Sequence, residues 1–196
     1  MLTKSGKVES KPASFLRIHH CLFRATYPDG KISKEFNCDI VKRNKMDAVI
    51  IIAHFIRDGK TFVYLRSCLR PALYDRFGPE LGNGWELPAG LIERKEDPVD
   101  CAVRETKEEL GFDLDKKDFK QLGGICNSAV GLCGEQLYFY EVEVDPNERG
   151  EPTLDGSPME YGGEVIAVQL EKALKLSDSV IDTKTEIGLR RLQSIK

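Results

Sequence analysis

A mixed β-sheet covered by helices, an α/β (α+β) fold, is the architecture this sequence predicts. Three observations lead there: many short runs rich in β-branched and aromatic residues, only two or three runs with helical spacing, and an order in which the two kinds do not alternate regularly. The 196 residues, 41% of them hydrophobic, suit one domain or one domain with a small extension. No run approaches the roughly 20 apolar residues of a membrane span; the longest, Ala48 to Ala53, is closed by His54. Residues 1–12 are polar, with Lys4, Lys7, Glu9 and Lys11 where a secretory signal has an apolar centre, so a loose tail on a cytoplasmic protein is expected. The 6 cysteines are scattered, without C-x-x-C pairs or histidines at zinc spacing, which fits buried thiols in a reducing compartment. With 29 Lys+Arg against 32 Asp+Glu the net charge is -3, and this balance disfavours nucleic acid as the main partner.

Ser14 to Tyr27 and Ile32 to Val41 read as strands joined by the turn Pro28-Asp29-Gly30. After the basic connector Lys42 to Lys45, Asp47 to Ile56 and Thr61 to Arg66 form a second hairpin around Arg57-Asp58-Gly59-Lys60. Pro71 to Gly84 shows no period and reads as a loop before the short strand Trp85 to Leu87. The clearest helix spans 98–110: Asp97 can cap it, Pro98 suits its first position and Gly111 the residue past its end. Val99, Ala102, Val103, Thr106 and Leu110 fall on its core face. Phe119 to Ala129 and Leu137 to Val144 are strand-like, separated by the loop 130–135; 145–163 is a turn-rich excursion. Glu164 to Leu170 is a last strand, Glu171 to Lys175 a short helix, and Asp182 to Ser194 a final helix with Thr185, Leu189 and Leu192 in one stripe. His19, His20 and His54 lack metal spacing and read as structural, and Cys101 as a packing residue.

Chemistry points to the other face of the 98–110 helix. Glu105, Glu108 and Glu109, spaced i, i+3 and i+4, gather their carboxylates on one side, about 100 to 130° round the axis from the core stripe. Three carboxylates this close repel one another, and a hard divalent cation would relieve the repulsion. Oxygen donors alone select Mg²⁺ or Mn²⁺ over zinc. A solvated acidic face is the plain alternative. With a metal held there, Glu109→Gln should lower kcat by several powers of ten with little change in stability.

Reading outward, Gly90 is followed after five residues by Glu96, and after seven more by Arg104-Glu105-Thr106-Lys107-Glu108-Glu109-Leu110-Gly111-Phe112. This resembles the signature of the Nudix hydrolases, G-x5-E-x7-R-E-U-x-E-E-x-G-U, with every fixed position filled and Thr106 at the first apolar one. A chance match is on the order of one in a million. The parts also make local sense: Gly90 permits a tight turn, Glu96 can pair with Arg104, and Gly111 ends the helix. The resemblance implies a Nudix α/β/α sandwich around a mixed sheet, with a small N-terminal antiparallel sheet. It further implies hydrolysis of a nucleoside diphosphate linked to another group, with Mg²⁺ (Mn²⁺ substituting) held by Glu105, Glu109, Glu108 and the Ala89 carbonyl. Glu105, Glu109, Arg104 and Glu135 become the catalytic candidates. Glu135, in a Gly-flanked loop, matches a mobile loop carboxylate that serves as general base or extra metal contact; an exposed surface Glu is the alternative.

Flanking segments suggest a branch. Trp85-Glu86-Leu87-Pro88-Ala89-Gly90 is similar to the W-E-L-P-A-G segment of ADP-ribose and nucleotide-sugar pyrophosphatases. Leu69-Arg70-Pro71-Ala72-Leu73-Tyr74, the loop 127–134 and Ile181-Asp182-Thr183-Lys184-Thr185 resemble segments of UDP-glucose pyrophosphatases. Ala129 stands where ADP-ribose enzymes commonly carry Pro, which favours a nucleoside diphosphate sugar over ADP-ribose. Arg70 is a candidate diphosphate clamp and Arg66 a weaker one; Trp85 could stack on a base or lie in the core, and Glu86 could support the metal or pair with an arginine. In that branch the N-terminal strands build a dimer, which divides the chain into a tail (1–12), a dimerisation hairpin (13–44) and the hydrolase domain (45–196). The expected partners are a small nucleotide and a second copy, with no membrane and no nucleic acid. Capped RNA is disfavoured by the acidic balance, and a nucleotide-sensing module without turnover is the reading from another class.

Overall fold

The apolar run from Ala48 sets the main sheet of the computed structural model, which describes residues 2–8, 15–78, 82–154, 156–157, 159, 162–175 and 182–196. Among these described residues eleven strands and four α-helices follow in chain order. The strands are β1 (Leu2–Val8), β2 (Arg17–Ala25), β3 (Phe36–Lys42), β4 (Ala48–Arg57), β5 (Lys60–Leu69), β6 (Asn83–Glu86), β7 (Ala89–Leu91), β8 (Lys120–Gln121), β9 (Cys126–Asn127), β10 (Gln136–Glu143) and β11 (Val165–Gln169). The helices are α1 (Pro71–Phe77), α2 (Pro98–Glu105), α3 (Leu170–Lys175) and α4 (Thr183–Gln193), and α2 continues as a π turn over Thr106–Leu110.

Two compact units divide the chain. The larger, Asp47–Cys126 with Gln136–Lys196, holds a mixed sheet in the order β11-β5-β4-β10-β8, with β6 beside β5 and β7 beside β4. β4 and β10 run parallel and the remaining pairs on this path antiparallel. Strict alternation splits β4 between two faces: Val49, Ile51 and Ala53 pack with Cys101, Ala102 and Leu110 of the α2 side, while Ala48, Ile50 and Ile52 pack with Ala173, Leu189 and Leu192 of α3 and α4. This is the α/β/α sandwich expected from the sequence. Each fully buried Ile contributes about 1.5–3 kcal/mol, so the central strand anchors both layers. No helix among the described residues is long and apolar enough to cross a membrane.

The smaller unit joins Met1–Met46 to Asn127–Glu135 around the antiparallel sheet β1-β2-β3. The loop 127–135 belongs to this unit: the Val41 amide donates to the Leu132 carbonyl at 2.9 Å. Residues 1 and 9–12 of the expected tail lie outside the described residues. Leu2–Val8, also expected to be loose, is a strand paired antiparallel with β2 from Leu2↔Ala25 to Val8↔His20, with a register shift between Lys4 and Gly6. Strand pairing is made by backbone groups, so a polar sequence can supply it without an apolar signal.

Other differences have local causes. The stretch from Pro71, expected as a loop, begins with α1; none of its side chains is buried, so it carries no amphipathic stripe, and Pro at its first turn is what permits it. The strand expected over 119–129 is reduced to the two-residue pieces β8 and β9. Gly90, expected at a turn, lies inside β7. The caps fall as expected: the Asp97 carboxylate accepts from the Val99 amide at 3.1 Å, and Gly111 takes the left-handed conformation with φ 81°. At the start of α4, Asp182 accepts from the Thr185 amide and hydroxyl, and the buried Thr185 hydroxyl accepts from the Leu87 amide at 2.9 Å. This ties α4 to the strand end that leads into Ala89; Ile181 lies outside the described residues.

The first part of the 145–163 excursion is a cap for the π turn. Arg149 donates to the Leu110 carbonyl at 2.8 Å, the Gly150 amide to Gly111 at 2.8 Å, and the Leu154 amide to Glu108 at 3.1 Å. Carbonyls left over at a helix end thereby gain partners. His54, inside β4, bonds Glu141 at 2.9 Å, and burial pushes its imidazole pKa down, in keeping with a structural role. Burial likewise raises the thiol of Cys101, which packs and stays protonated.

Candidate active site

The site lies where α2 and its π turn cross β5, β6 and β7. Arg104 is its hub. Its guanidinium donates to Glu96 at 3.0 and 3.2 Å, to Glu105 at 2.6 Å, to Glu108 at 3.0 Å and to the Leu91 carbonyl at 3.4 Å. Glu96 also accepts from the Glu93 amide at 2.8 Å, and Arg104 holds the Glu96 carboxyl below its ordinary pKa. The pairing of Glu96 with Arg104 read from the sequence is present.

Gly90 matters for a reason other than a turn. A Cβ on it would overlap the carboxyl of Glu105, so its absence lets that carboxylate lie on the β7 backbone. Glu109 comes to the same place, accepting from the Ala89 amide at 3.0 Å, while its other oxygen bonds Arg66. Glu109 is only 4% exposed. The plain alternative of a solvated face does not describe Glu109, which lies in the π turn within the dry layer between helix and sheet. The expected repulsion is met in part by the chain itself. Glu86, Glu96, Glu105, Glu108 and Glu109 are served by Arg66, Arg70, Arg104 and Lys184.

Beside Glu109 and Ala89 is a cavity of about 80 Å³, bordered by Arg66, Arg70, Glu86 and Cys68. That is the space of two or three waters, enough for a small group and not for a whole nucleotide. Arg70 grips Glu86 with two bonds of 2.6 and 2.5 Å, and Lys184 stands 3.8 Å from Glu86. Burial pushes the Cys68 thiol up to about 11. Among the expected substrate-binding residues, Arg70 and Glu86 thus meet at this cavity. Trp85 is half-buried and packs on the core cluster of the α3 and α4 layer. Glu135 belongs to the smaller unit, where it is paired with Arg43.

The donor chemistry fits a hard divalent cation, because Glu105 and Glu109 converge on Ala89 and Gly90 and offer oxygen alone. Among the described residues no three acidic, imidazole or thiol groups form a ready metal cage; the carboxylates are turned toward their arginines. Sequence reasoning gave Arg66 little weight. Its signal was a cation within the apolar alternation Tyr64, Arg66, Cys68 of a buried strand.

Residues 46–181 match a family model described as the NUDIX domain. "Nudix hydrolase 14, chloroplastic" of Arabidopsis thaliana is 27% identical over 186 residues, covering 88% of this chain and 57% of that protein. "m7GpppN-mRNA hydrolase" of Saccharomyces cerevisiae is 50% identical over 32 residues, 16% of this chain and 3% of that protein. The matches therefore span well under two thirds of these relatives. A crystal structure of "ADP compounds hydrolase" superposes with a TM-score of 0.72 at 13% identity, covering 99% of this chain and 93% of that one, which is a likeness of fold.

Proposed function

Because this chain belongs to the NUDIX domain family, we propose that it is a divalent-metal-dependent pyrophosphohydrolase that splits a nucleoside diphosphate sugar into nucleoside monophosphate and sugar 1-phosphate. The observation that carries the reading is the convergence of Glu105 and Glu109 on Ala89 and Gly90, beside a cavity bordered by Arg66 and Arg70. Glu105, Glu108, Glu109 and the Ala89 carbonyl would hold Mg²⁺, with Mn²⁺ as substitute, and the metal would supply positive charge to the diphosphate and to the charge developing at phosphorus. Arg104 fixes Glu105 and Glu108 for that task. Arg70, released from Glu86, clamps the diphosphate with its bidentate fork. A loop carboxylate, the role for which the resemblance names Glu135, would take a proton from the attacking water; the water oxygen bonds to phosphorus, the bridging P–O bond breaks, and the departing phosphate carries away the electron pair. Ala129 and the Asp182-Thr183-Lys184-Thr185 segment support a sugar substrate over ADP-ribose.

The test is product release from UDP-, GDP- and ADP-sugars and ADP-ribose, each with Mg²⁺ and with chelator. Metal-dependent turnover of a nucleotide sugar is the expected result, and turnover of ADP-ribose alone would overturn the sugar assignment. One observation favours a second reading, a nucleotide-binding module without turnover: Arg104 and Arg66 already offset much of the acidic charge. No turnover, with a nucleotide sugar raising the melting temperature, would establish that reading instead.

The assembly is proposed to be a homodimer through the smaller unit, which exposes Phe15, Ile18, Ile32, Phe36, Val130 and Leu132. Light scattering should give twice the chain mass. Val130→Asp with Leu132→Asp should give a monomer, and an unchanged dimer would place the interface elsewhere.

A further inference from the structure

Arg66 is held in the middle of the sheet. Its backbone pairs with Glu86 on β6 and with Val165 on β11, and its residue is 2% exposed. A guanidinium keeps its charge at any ordinary pH, so at this burial it needs a counter-ion. That counter-ion is Glu109, itself 4% exposed. One oxygen of Glu109 bonds Arg66 and the other the Ala89 amide at 3.0 Å, so the chain's own donors engage both. Arg104, by contrast, serves Glu105 and Glu108 from a side chain that is 32% exposed, where water screens the pair.

We propose that Arg66 is a positioning residue that acts as the internal counter-cation of Glu109, competing with the divalent metal for this carboxylate and so setting the metal affinity of the free protein. The inference rests on the reading of Glu109 as a metal donor. Its physical basis is a population argument: while the dry pair is closed, only the fraction of molecules with Glu109 released is competent to bind, and the apparent affinity falls by that fraction. Glu86, opposite Arg66 in the β5–β6 register and lining the same cavity, is the acceptor to which the guanidinium turns when the metal takes Glu109. The closed pair also keeps the metal-free site from carrying an uncompensated buried carboxylate.

The experiment is calorimetric titration of the full chain with Mn²⁺, without substrate, together with melting of the metal-free protein. Arg66→Met should bind Mn²⁺ about tenfold tighter or more. Arg66→Gln, which keeps a hydrogen-bond donor and so protects folding, should also bind tighter, whereas Arg66→Lys should stay within about threefold of wild type. The metal-free melting temperature should fall in Arg66→Met and recover with Mn²⁺ by more than wild type gains. The double variant Arg66→Met/Glu109→Gln should bind no tighter than Glu109→Gln alone. Mn²⁺ affinity unchanged or weakened in both neutral variants, with Glu105→Gln still abolishing binding, would overturn the competition and leave the proposed function standing. Wild-type protein that takes up no Mn²⁺, or takes it up unaffected by Glu105→Gln, would overturn both.

Discussion

Glu109→Gln is expected to lower kcat about a thousandfold or more and to destabilise the fold as well. The amide can still accept from Ala89 but no longer carries the charge that a cation and Arg66 both require. Loss of the metal-side interaction removes several kcal/mol of transition-state stabilisation, at about 1.4 kcal/mol per tenfold. On the folding side, the buried guanidinium loses this ion pair and must turn to Glu86, at a cost below the roughly 3–5 kcal/mol of a fully broken buried pair. For a chain of this size each kcal/mol lowers Tm by about 2–4 °C. Turnover assays and thermal melts on one preparation check both. Normal turnover would remove Glu109 from the metal site, and an unchanged Tm would mean that Arg66 finds another acceptor without cost. The stability effect departs from the sequence-based expectation of little change, because Glu109 lies in the dry layer between helix and sheet.

Gly90→Ala is expected to separate the site from the fold. Its Cβ would occupy the place of the Glu105 carboxyl, and the end of a flexible side chain can move aside at small cost. Since Gly90 has ordinary strand geometry, Ala there also reduces the freedom of the unfolded chain, worth about 0.4–1 kcal/mol. Tm should therefore hold or rise slightly while Mn²⁺ affinity and kcat fall about a hundredfold or more, by displacement of a ligand from its productive position. Equal losses of stability and activity would show that Gly90 serves packing and not the carboxylate.

These contrasts mark what was legible in the sequence. Asp97, Gly111 and the Glu96–Arg104 pair could be read because their partners are close along the chain and the geometry of one helix end determines them. The central strand β4 was equally plain, since a strand buried on both faces reads as a near-continuous apolar run. Arg66 and Glu109, by contrast, are 43 residues apart, and only the sheet brings them together. The π turn has no compositional signature, so the burial of Glu109 against the sheet could not be read from helical spacing. α1 buries nothing and β1 pairs through its backbone, so neither leaves an apolar pattern to find. The neighbours of the loop 127–135 and of Glu135 depend on which unit the loop joins, a long-range outcome.

The bonds from Arg149, Gly150 and Leu154 to the π turn bear on how the molecule breathes. Three separate donors, contributed by a strandless segment some 40 residues downstream, close the end of the helix that carries Glu108 and Glu109. Fraying of that last turn must break them all at once, so helix end and downstream segment form a single cooperative unit in the native ensemble. The amides of 106–111 and of 150–154 would exchange with solvent at one shared rate, and the opening that exposes Glu109 to solvent is coupled to the undocking of a segment that contributes no carboxylate to it.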